Sequence, residues 1–165
     1  FASSISPWIV TMDALEPFRV KGPEQSPEPM PYLQQKGAKA FDINLEVAIQ
    51  PENEVETVVS RSNFKYMYWS MAQQLAHHTI NGCRVNSGDM MGSGTISGPT
   101  EDSFGSMLEL SWGGQKPLKM NDGSERKFIN DNDTVIIRGY CQKDNLRIGF
   151  GEVSSKLLPA VELKF

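Results

Sequence analysis

The sequence of 165 residues lacks the features that mark zinc-binding, secreted or membrane proteins. It has two cysteines, Cys83 and Cys141, and neither stands in a Cys-x-x-Cys or Cys/His ligand spacing, so nothing indicates a zinc site. We expect both thiols to be reduced and buried. No apolar run approaches the ~20 residues of a spanning helix and no charged-then-apolar leader opens the chain. These absences predict a soluble, cytoplasmic protein without a membrane partner.

Basic charge is scarce as well. The formal net charge is −4, and the longest run of basic residues is the pair Arg126-Lys127. Because binding to a phosphate backbone requires a basic surface, we expect no nucleic-acid partner. The hydrophobic content of 39% and charged content of 22% are ordinary for a globular protein, and the length predicts one main folding unit.

The periodicity predicts mainly β structure of the α+β type. Five prolines between Pro17 and Pro31 exclude a helix or a central strand there and predict an extended connector, residues 17–31. Large apolar residues then occupy every second position from Phe41 to Ile49, which is typical of a half-buried strand. Further strands are predicted for residues 54–60, 106–112, 134–141 and 146–153, the first of them antiparallel to 41–49.

One main helix is predicted for about residues 62–81. Apolar residues recur at three- and four-residue spacing from Phe64 to His78, with Ser62 or Asn63 as cap and Asn81-Gly82 at the end. His77 and His78 fall in its last turn. A structural or capping role is favoured for both, with His78 on the apolar stripe and His77 on the solvent side.

Two segments could carry chemistry. The loop Gly88–Pro99 holds four glycines around Ser93, Thr95 and Ser97, so backbone amides and hydroxyls could bind a carboxylate, although composition alone favours a plain loop. In the strand predicted for 106–112, Glu109 shares a face with Met107. That face is either wet, which composition favours, or lines a cleft in which the carboxylate orients a histidine.

The acidic groups at the loops Glu101-Asp102 and Asp131–Asp133 are interpreted as solvated tips, and we expect them to bind no hard metal.

Long strings spread over the chain resemble the fumarylacetoacetase family. A shorter pattern, Gly88-Asp89 with Gly94-Thr95, is shared with the wider superfamily of acylpyruvate hydrolases. The strings are Ser6-Pro-Trp-Ile-Val10, Met12-Asp-Ala-Leu15, Phe41-Asp-Ile-Asn-Leu45, Arg61-Ser-Asn-Phe-Lys-Tyr-Met-Tyr-Trp69, His77-His78, Gly94-Thr-Ile-Ser-Gly98, Phe104-Gly-Ser-Met-Leu-Glu-Leu-Ser-Trp112, Arg147-Ile-Gly-Phe-Gly151 and Lys156-Leu-Leu-Pro-Ala160.

The resemblance implies a cytoplasmic homodimer that uses Mg and Ca to hydrolyse the carbon–carbon bond of fumarylacetoacetate, giving fumarate and acetoacetate in tyrosine and phenylalanine catabolism. It implies a mixed β-roll or sandwich of the family's C-terminal catalytic domain type. Residues 1–165 would be the C-terminal part of that domain. Because the chain opens on Phe1 and not Met, we expect the N-terminal domain and the first part of the catalytic domain to lie outside it.

Three site residues are carried over from the resemblance. Glu109 matches the catalytic carboxylate that orients a general-base histidine, and Thr95 matches a substrate-binding threonine. Ser3 stands where the family has a threonine that ligates Mg, although this chain reads Phe1-Ala-Ser-Ser4 in place of Phe-Gly-Thr-Thr. The main Mg and Ca ligands, the base and a catalytic lysine are expected upstream of Phe1.

The fragment alone is therefore predicted to be inactive, because neither His77 nor His78 matches the base. Two alternatives stay open. One is an acylpyruvate hydrolase of the same superfamily, and the other is a non-catalytic dimerisation or binding module.

Overall fold

The computed structural model describes residues 3–161 and has the predicted mainly β, α+β composition. The strands are β1 Arg19–Val20, β2 Ala40–Phe41, β3 Asn44–Gln50, β4 Thr57–Asn63, β5 Leu118–Lys119, β6 Glu125–Arg126, β7 Thr134–Lys143 and β8 Leu146–Lys156. The α-helices are α1 Met12–Leu15, α2 Met71–Thr79 and α3 Met107–Leu110, and single 3-10 turns form at Glu16–Phe18, Pro31–Leu33, Phe64–Tyr66 and Glu101–Ser103.

A four-stranded antiparallel sheet in the order β4-β3-β7-β8 is the main scaffold. The alternation that predicted strands here also sets the register, because Val47 pairs with both Ile137 and Ser60. The predicted strands 134–141 and 146–153 are confirmed and run slightly longer. The predicted strand 54–60 is confirmed as the antiparallel neighbour of β3, but it begins at Thr57 and extends to Asn63.

Residues alternate between two faces of this sheet. One face carries Val47 and Ile137 and lies against the segment around α3, where the Ser60 hydroxyl donates to the Phe104 carbonyl oxygen at 2.7 Å. The other face carries Arg138, whose guanidinium bonds carboxylates from three segments of the chain. Those carboxylates belong to Glu46, Glu56 and Glu152.

The buried core lies where the connector meets the sheet. Phe18, Phe41 and Cys141 are almost fully buried and pack together with Leu15 and Ile43. Within the connector predicted for residues 17–31, Arg19–Val20 pairs with Ala40–Phe41, and no helix longer than a 3-10 turn forms. The prediction for Cys141 is confirmed, whereas Cys83 is exposed and the prediction of burial was wrong there.

The helix predicted for 62–81 is much shorter than expected. It starts at Met71 because Ser70 forms a capping box with Gln73, and its last helical residue is Thr79, close to the predicted end. Of the residues assigned to its first two turns, Ser62 and Asn63 end β4, Phe64 lies in the turn Phe64–Tyr66, and residues 67–70 are not helical. No helix within residues 3–161 is long and apolar enough to cross a bilayer.

The predicted face was wrong for His78, whereas His77 is exposed, as predicted. His78 is exposed and does not continue a buried stripe, since Gln73 is the buried residue of α2. His77 Nδ1 lies 3.0 Å from the Tyr32 hydroxyl and its ring stacks on that of Tyr32. His77 therefore contacts Tyr32 at the surface of the protein.

The segment 106–112 is a short helix and not the predicted strand. Ser106 caps α3 by accepting a hydrogen bond from the Glu109 amide at 3.3 Å. The segment then turns away at Trp112, which has a φ of +50°. The facing that strand alternation gave to Glu109 is consequently wrong, because neighbours in a helix diverge by ~100°.

Candidate active site

The Glu109 carboxylate is held by two serine hydroxyls. Ser97 Oγ lies 2.9 Å from each carboxylate oxygen, and Ser106 Oγ lies 2.7 Å from one of them. Among residues 3–161, no basic side chain forms an ion pair with this carboxylate. Glu109 is thus oriented by neutral donors, and a cationic group that enters the site would meet an uncompensated negative charge.

The loop that carries Ser97 is anchored by Gly105. The Gly105 amide donates to Ser97 Oγ at 3.0 Å, eight residues along the chain. A Cβ atom on Gly105 would lie 2.6 Å from the Ile96 carbonyl oxygen and 2.7 Å from Thr95 Cγ2. Glycine is therefore required at 105 for the Thr95–Ser97 backbone to approach α3 this closely.

Glu109 and Thr95 line the same open groove, which has a volume of about 570 Å³. Glu109 is half-buried, so it is neither fully solvated nor remote from Thr95. One wall of the groove is aromatic and includes Tyr68 and Trp69, whose rings meet edge to face at 5.0 Å. The groove thus combines an oriented carboxylate, a hydroxyl and an apolar wall, a combination suited to a small polar molecule. Its other lining residues are Tyr66, Met67, Ile96, Ser97, Ser106 and Leu108.

Ser3, the third predicted site residue, lies outside this groove. It is exposed, and its neighbour Ser4 accepts a hydrogen bond from the Ser155 hydroxyl at 2.8 Å, beside β8. Phe1 and Ala2 of the same string lie outside the described residues. The structure therefore brings Glu109 and Thr95 together without Ser3.

The described residues do not form a complete Mg or Ca site. Residues 3–161 contain no group of three or more His, Cys, Asp or Glu side chains that could hold a metal ion. The Glu109 carboxylate, the acidic group of the groove, has its edge occupied by the Ser97 hydroxyl. Hard cations take six or more oxygen ligands, mainly from carboxylates, and residues 3–161 bring no such cluster of carboxylates together.

The prediction of a solvated tip at 131–133 holds for Asp131, which is exposed, but is wrong for Asp133. Asp133 is 1% exposed, and both its oxygens accept from Arg126, at 2.8 and 2.9 Å. Burial acts to raise the pKa of Asp133, but the hydrogen bonds from Arg126 and the Asn130 amide outweigh it and lower that pKa. Glu101 and Asp102 are exposed, as predicted.

Ser106 was missed as a site residue by the sequence reasoning, and Ser97 was considered only as part of a glycine-rich loop. A signal for Ser106 existed, since Ser106-Met-Leu-Glu109 has the Ser-x-x-Glu spacing of a capping box. The aromatic wall, by contrast, was assigned to a helix and carried no signal for a groove.

The fold and the groove define the class of this chain, a mainly β protein of the α+β type that presents a serine-held carboxylate in a groove of small-molecule size. Residues 1–157 match the family described as "Fumarylacetoacetate (FAA) hydrolase C-terminal". The chain belongs to this family of fumarylacetoacetate hydrolases.

Similar curated proteins are named fumarylacetoacetase. The Dictyostelium discoideum protein is 56% identical over 163 residues, covering 97% of this chain and 38% of the relative. The Homo sapiens protein is 54% identical over 162 residues, with 98% and 39% covered, and the Arabidopsis thaliana protein is 49% identical over 161 residues, with 97% and 38% covered. The chain thus spans about two fifths of the length of these relatives.

Proposed function

We propose that this chain is the C-terminal share of a metal-dependent fumarylacetoacetase, in which Glu109 orients a general-base histidine contributed by another part of the whole protein. One observation carries the proposal. The Glu109 carboxylate is fixed by two serine hydroxyls, has no cationic partner among residues 3–161, and shares a groove with Thr95. A carboxylate in that state can accept an imidazole N–H and stabilise the imidazolium that forms.

The reaction is hydrolysis of a carbon–carbon bond. The base takes a proton from water, and the water oxygen bonds to the carbonyl carbon beside the bond to be cleaved. When that bond breaks, its electron pair stays on the departing acetoacetate carbon, which then takes up a proton, while the other product is fumarate. Glu109 contributes by holding the histidine in the orientation that lets its free nitrogen face water.

Thr95 has the role of a substrate contact. Its hydroxyl can donate to a carboxylate or keto oxygen of the diketo acid, and the aromatic wall with Tyr68 and Trp69 covers the apolar part of the molecule. Dependence on Mg and Ca belongs to the proposal for the whole protein. This chain would add at most the Ser3 hydroxyl to the metal ligands. A cytoplasmic homodimer is proposed on the same basis as the activity.

The test compares the activity of Glu109→Gln with that of wild type in the longest natural protein that contains this chain. Activity is measured as the decrease of fumarylacetoacetate absorbance in the presence of Mg. We expect kcat to fall roughly 100-fold or more, because glutamine is neutral and stabilises the imidazolium poorly. Glu101→Gln is the matched control, since Glu101 is an exposed glutamate in a nearby turn. Undiminished turnover by Glu109→Gln would contradict the proposal.

Two further assays separate the alternatives. This chain alone should show no turnover, because it carries no histidine in the groove, and turnover by it would refute the assignment of the base to another segment. Profiling the longer protein on simple acylpyruvates distinguishes a fumarylacetoacetase from an acylpyruvate hydrolase. A non-catalytic module would turn over neither class of substrate.

A further inference from the structure

The position of the Ser97 hydroxyl relative to Glu109 is unusually symmetrical. Ser97 Oγ lies 2.9 Å from both carboxylate oxygens, so it sits at the edge between them. Its own oxygen accepts the Gly105 amide hydrogen at 3.0 Å. Because the oxygens of a carboxylate only accept, the single hydroxyl hydrogen of Ser97 is the donor to Glu109.

The second serine makes the two carboxylate oxygens unequal. Ser106 Oγ accepts the Glu109 amide and lies 2.7 Å from only one oxygen, so it donates there. That oxygen receives the Ser106 hydrogen and a share of the Ser97 hydrogen. The other oxygen receives only the Ser97 share, and it keeps the larger remaining capacity to accept a hydrogen bond.

We propose that Ser97 is a positioning residue, which locks the rotation of the Glu109 carboxylate so that the oxygen free of Ser106 is the acceptor for the N–H group of the base. The proposal rests on the function proposed above. It goes further by naming the side chain that sets the orientation of the carboxylate and the oxygen that accepts the hydrogen bond from the base.

Restricting the rotation of the Glu109 carboxylate matters for the rate of the reaction. The terminal torsion of a glutamate is broad, so a carboxylate held at one oxygen alone would turn between several orientations. Contacts at both oxygens from serines on two segments, the 95–97 loop and the cap of α3, restrict that rotation. A displacement of about 1 Å in a catalytic array is enough to cost on the order of 100-fold in rate.

The experiment is a double-mutant cycle in the longest natural protein that contains this chain, with Ser97→Ala, Glu109→Gln and the combination. We expect Ser97→Ala to lower kcat roughly 10- to 100-fold with KM changed by less than about twofold, since a hydrogen bond to a charged group is lost without loss of a substrate contact. Ser97→Thr, which keeps the hydroxyl, should restore most of kcat. In the Glu109→Gln background, Ser97→Ala should cost less than about twofold.

Ser124→Ala is the matched control. Ser124 Oγ also contacts both oxygens of a carboxylate, at 2.7 and 3.0 Å from Asp122, but outside the groove. Its kcat should equal that of wild type. If Ser97→Ala fails to fold, Ser97→Cys replaces it, because a thiol is similar in size and a weak donor, and it should show the same loss of kcat.

The outcomes separate the two proposals. Full activity of Glu109→Gln overturns the proposed function. Loss of activity in Glu109→Gln, with an undiminished further loss when Ser97→Ala is added, leaves that function standing and overturns the positioning role. A rise in KM with kcat unchanged for Ser97→Ala also overturns it, since that result would make Ser97 a direct substrate contact.

Discussion

Two carboxylates in this molecule, Asp133 and Glu109, are each held by side-chain hydrogen bonds, yet their charges are treated differently. Asp133 is 1% exposed and meets the Arg126 guanidinium with both oxygens. Glu109 is half-buried in a groove and meets only hydroxyls among the described residues. The first charge is neutralised within the fold, whereas the second is oriented and left uncompensated.

The presence or absence of a cationic partner distinguishes a carboxylate that stabilises the fold from one that acts in a site. Desolvating a charge is costly, so a carboxylate inside a fold normally has a cation beside it. A carboxylate with donors but no cation keeps its electrostatic attraction for whatever enters the site. The comparison therefore predicts that removing the partner of Asp133 damages stability, while changes around Glu109 damage activity more than stability.

The largest effect is expected for Arg126→Met, which leaves Asp133 buried without its cation. We expect the free energy of unfolding to fall by about 3–5 kcal/mol. Urea unfolding followed by tryptophan fluorescence measures it. Arg61→Met is the control, because the Arg61 side chain is 65% exposed and its pairing with Glu46 should be worth less than about 1 kcal/mol. Equal losses for both variants would remove the contrast.

A smaller effect is expected on the groove side, for Gly105→Ala. The added methyl group would press on the Ile96 carbonyl oxygen and on Thr95, so we expect a loss of about 1–3 kcal/mol in stability together with a fall in kcat/KM as the loop shifts. Gly149→Ala is the control, since a methyl group there meets nothing within 4 Å. Unchanged kcat/KM for Gly105→Ala would mean that the loop position is irrelevant to activity.

The smallest effect is a pH dependence from the Asp133 carboxyl alone. Its pKa is lower in the folded than in the unfolded state, so its contribution to stability is complete above its unfolded pKa and is lost as the pH falls through its folded pKa. Urea midpoints from about pH 6 down to about pH 2 should fall less steeply for Asp133→Asn than for wild type. Parallel curves would show that Asp133 does not titrate with unfolding.

The sheet was largely predictable from the sequence, because large apolar residues stand at every second position from Phe41 to Ile49 and successive side chains of a strand point to opposite faces of the sheet. The errors fell on α2 and α3, and both have the same cause. The apolar residues from Phe64 onward are spaced as in a helix, and those around Met107–Leu110 are spaced as in a strand. Both segments are too short for the apolar period to distinguish a helix from a strand.

Local capping decided both of these segments. Ser70-x-x-Gln73 and Ser106-x-x-Glu109 share a spacing that starts a helix, and in the structure each serine accepts the amide of the third residue after it. The two then diverge, since the Gln73 side chain returns to the Ser70 amide whereas the Glu109 carboxylate bonds hydroxyls. The placement of Thr95 in the same groove as Glu109 depends on the packing of the 95–97 backbone against Gly105, and no local sequence pattern predicts that contact.

The Arg138 guanidinium binds carboxylates from β3, β8 and the residue before β4, and the bonds to Glu56 and Glu152 raise its pKa. A one-residue shift in the pairing of β3 or β8 with β7 would place Glu46 or Glu152 on the opposite face of the sheet. Arg138 would then lose one of its carboxylate partners, so these ion pairs favour the observed register over a slipped one. The three carboxylates thus tie Arg138 to the alignment of β3, β7 and β8 in the sheet that lies against the segment around α3.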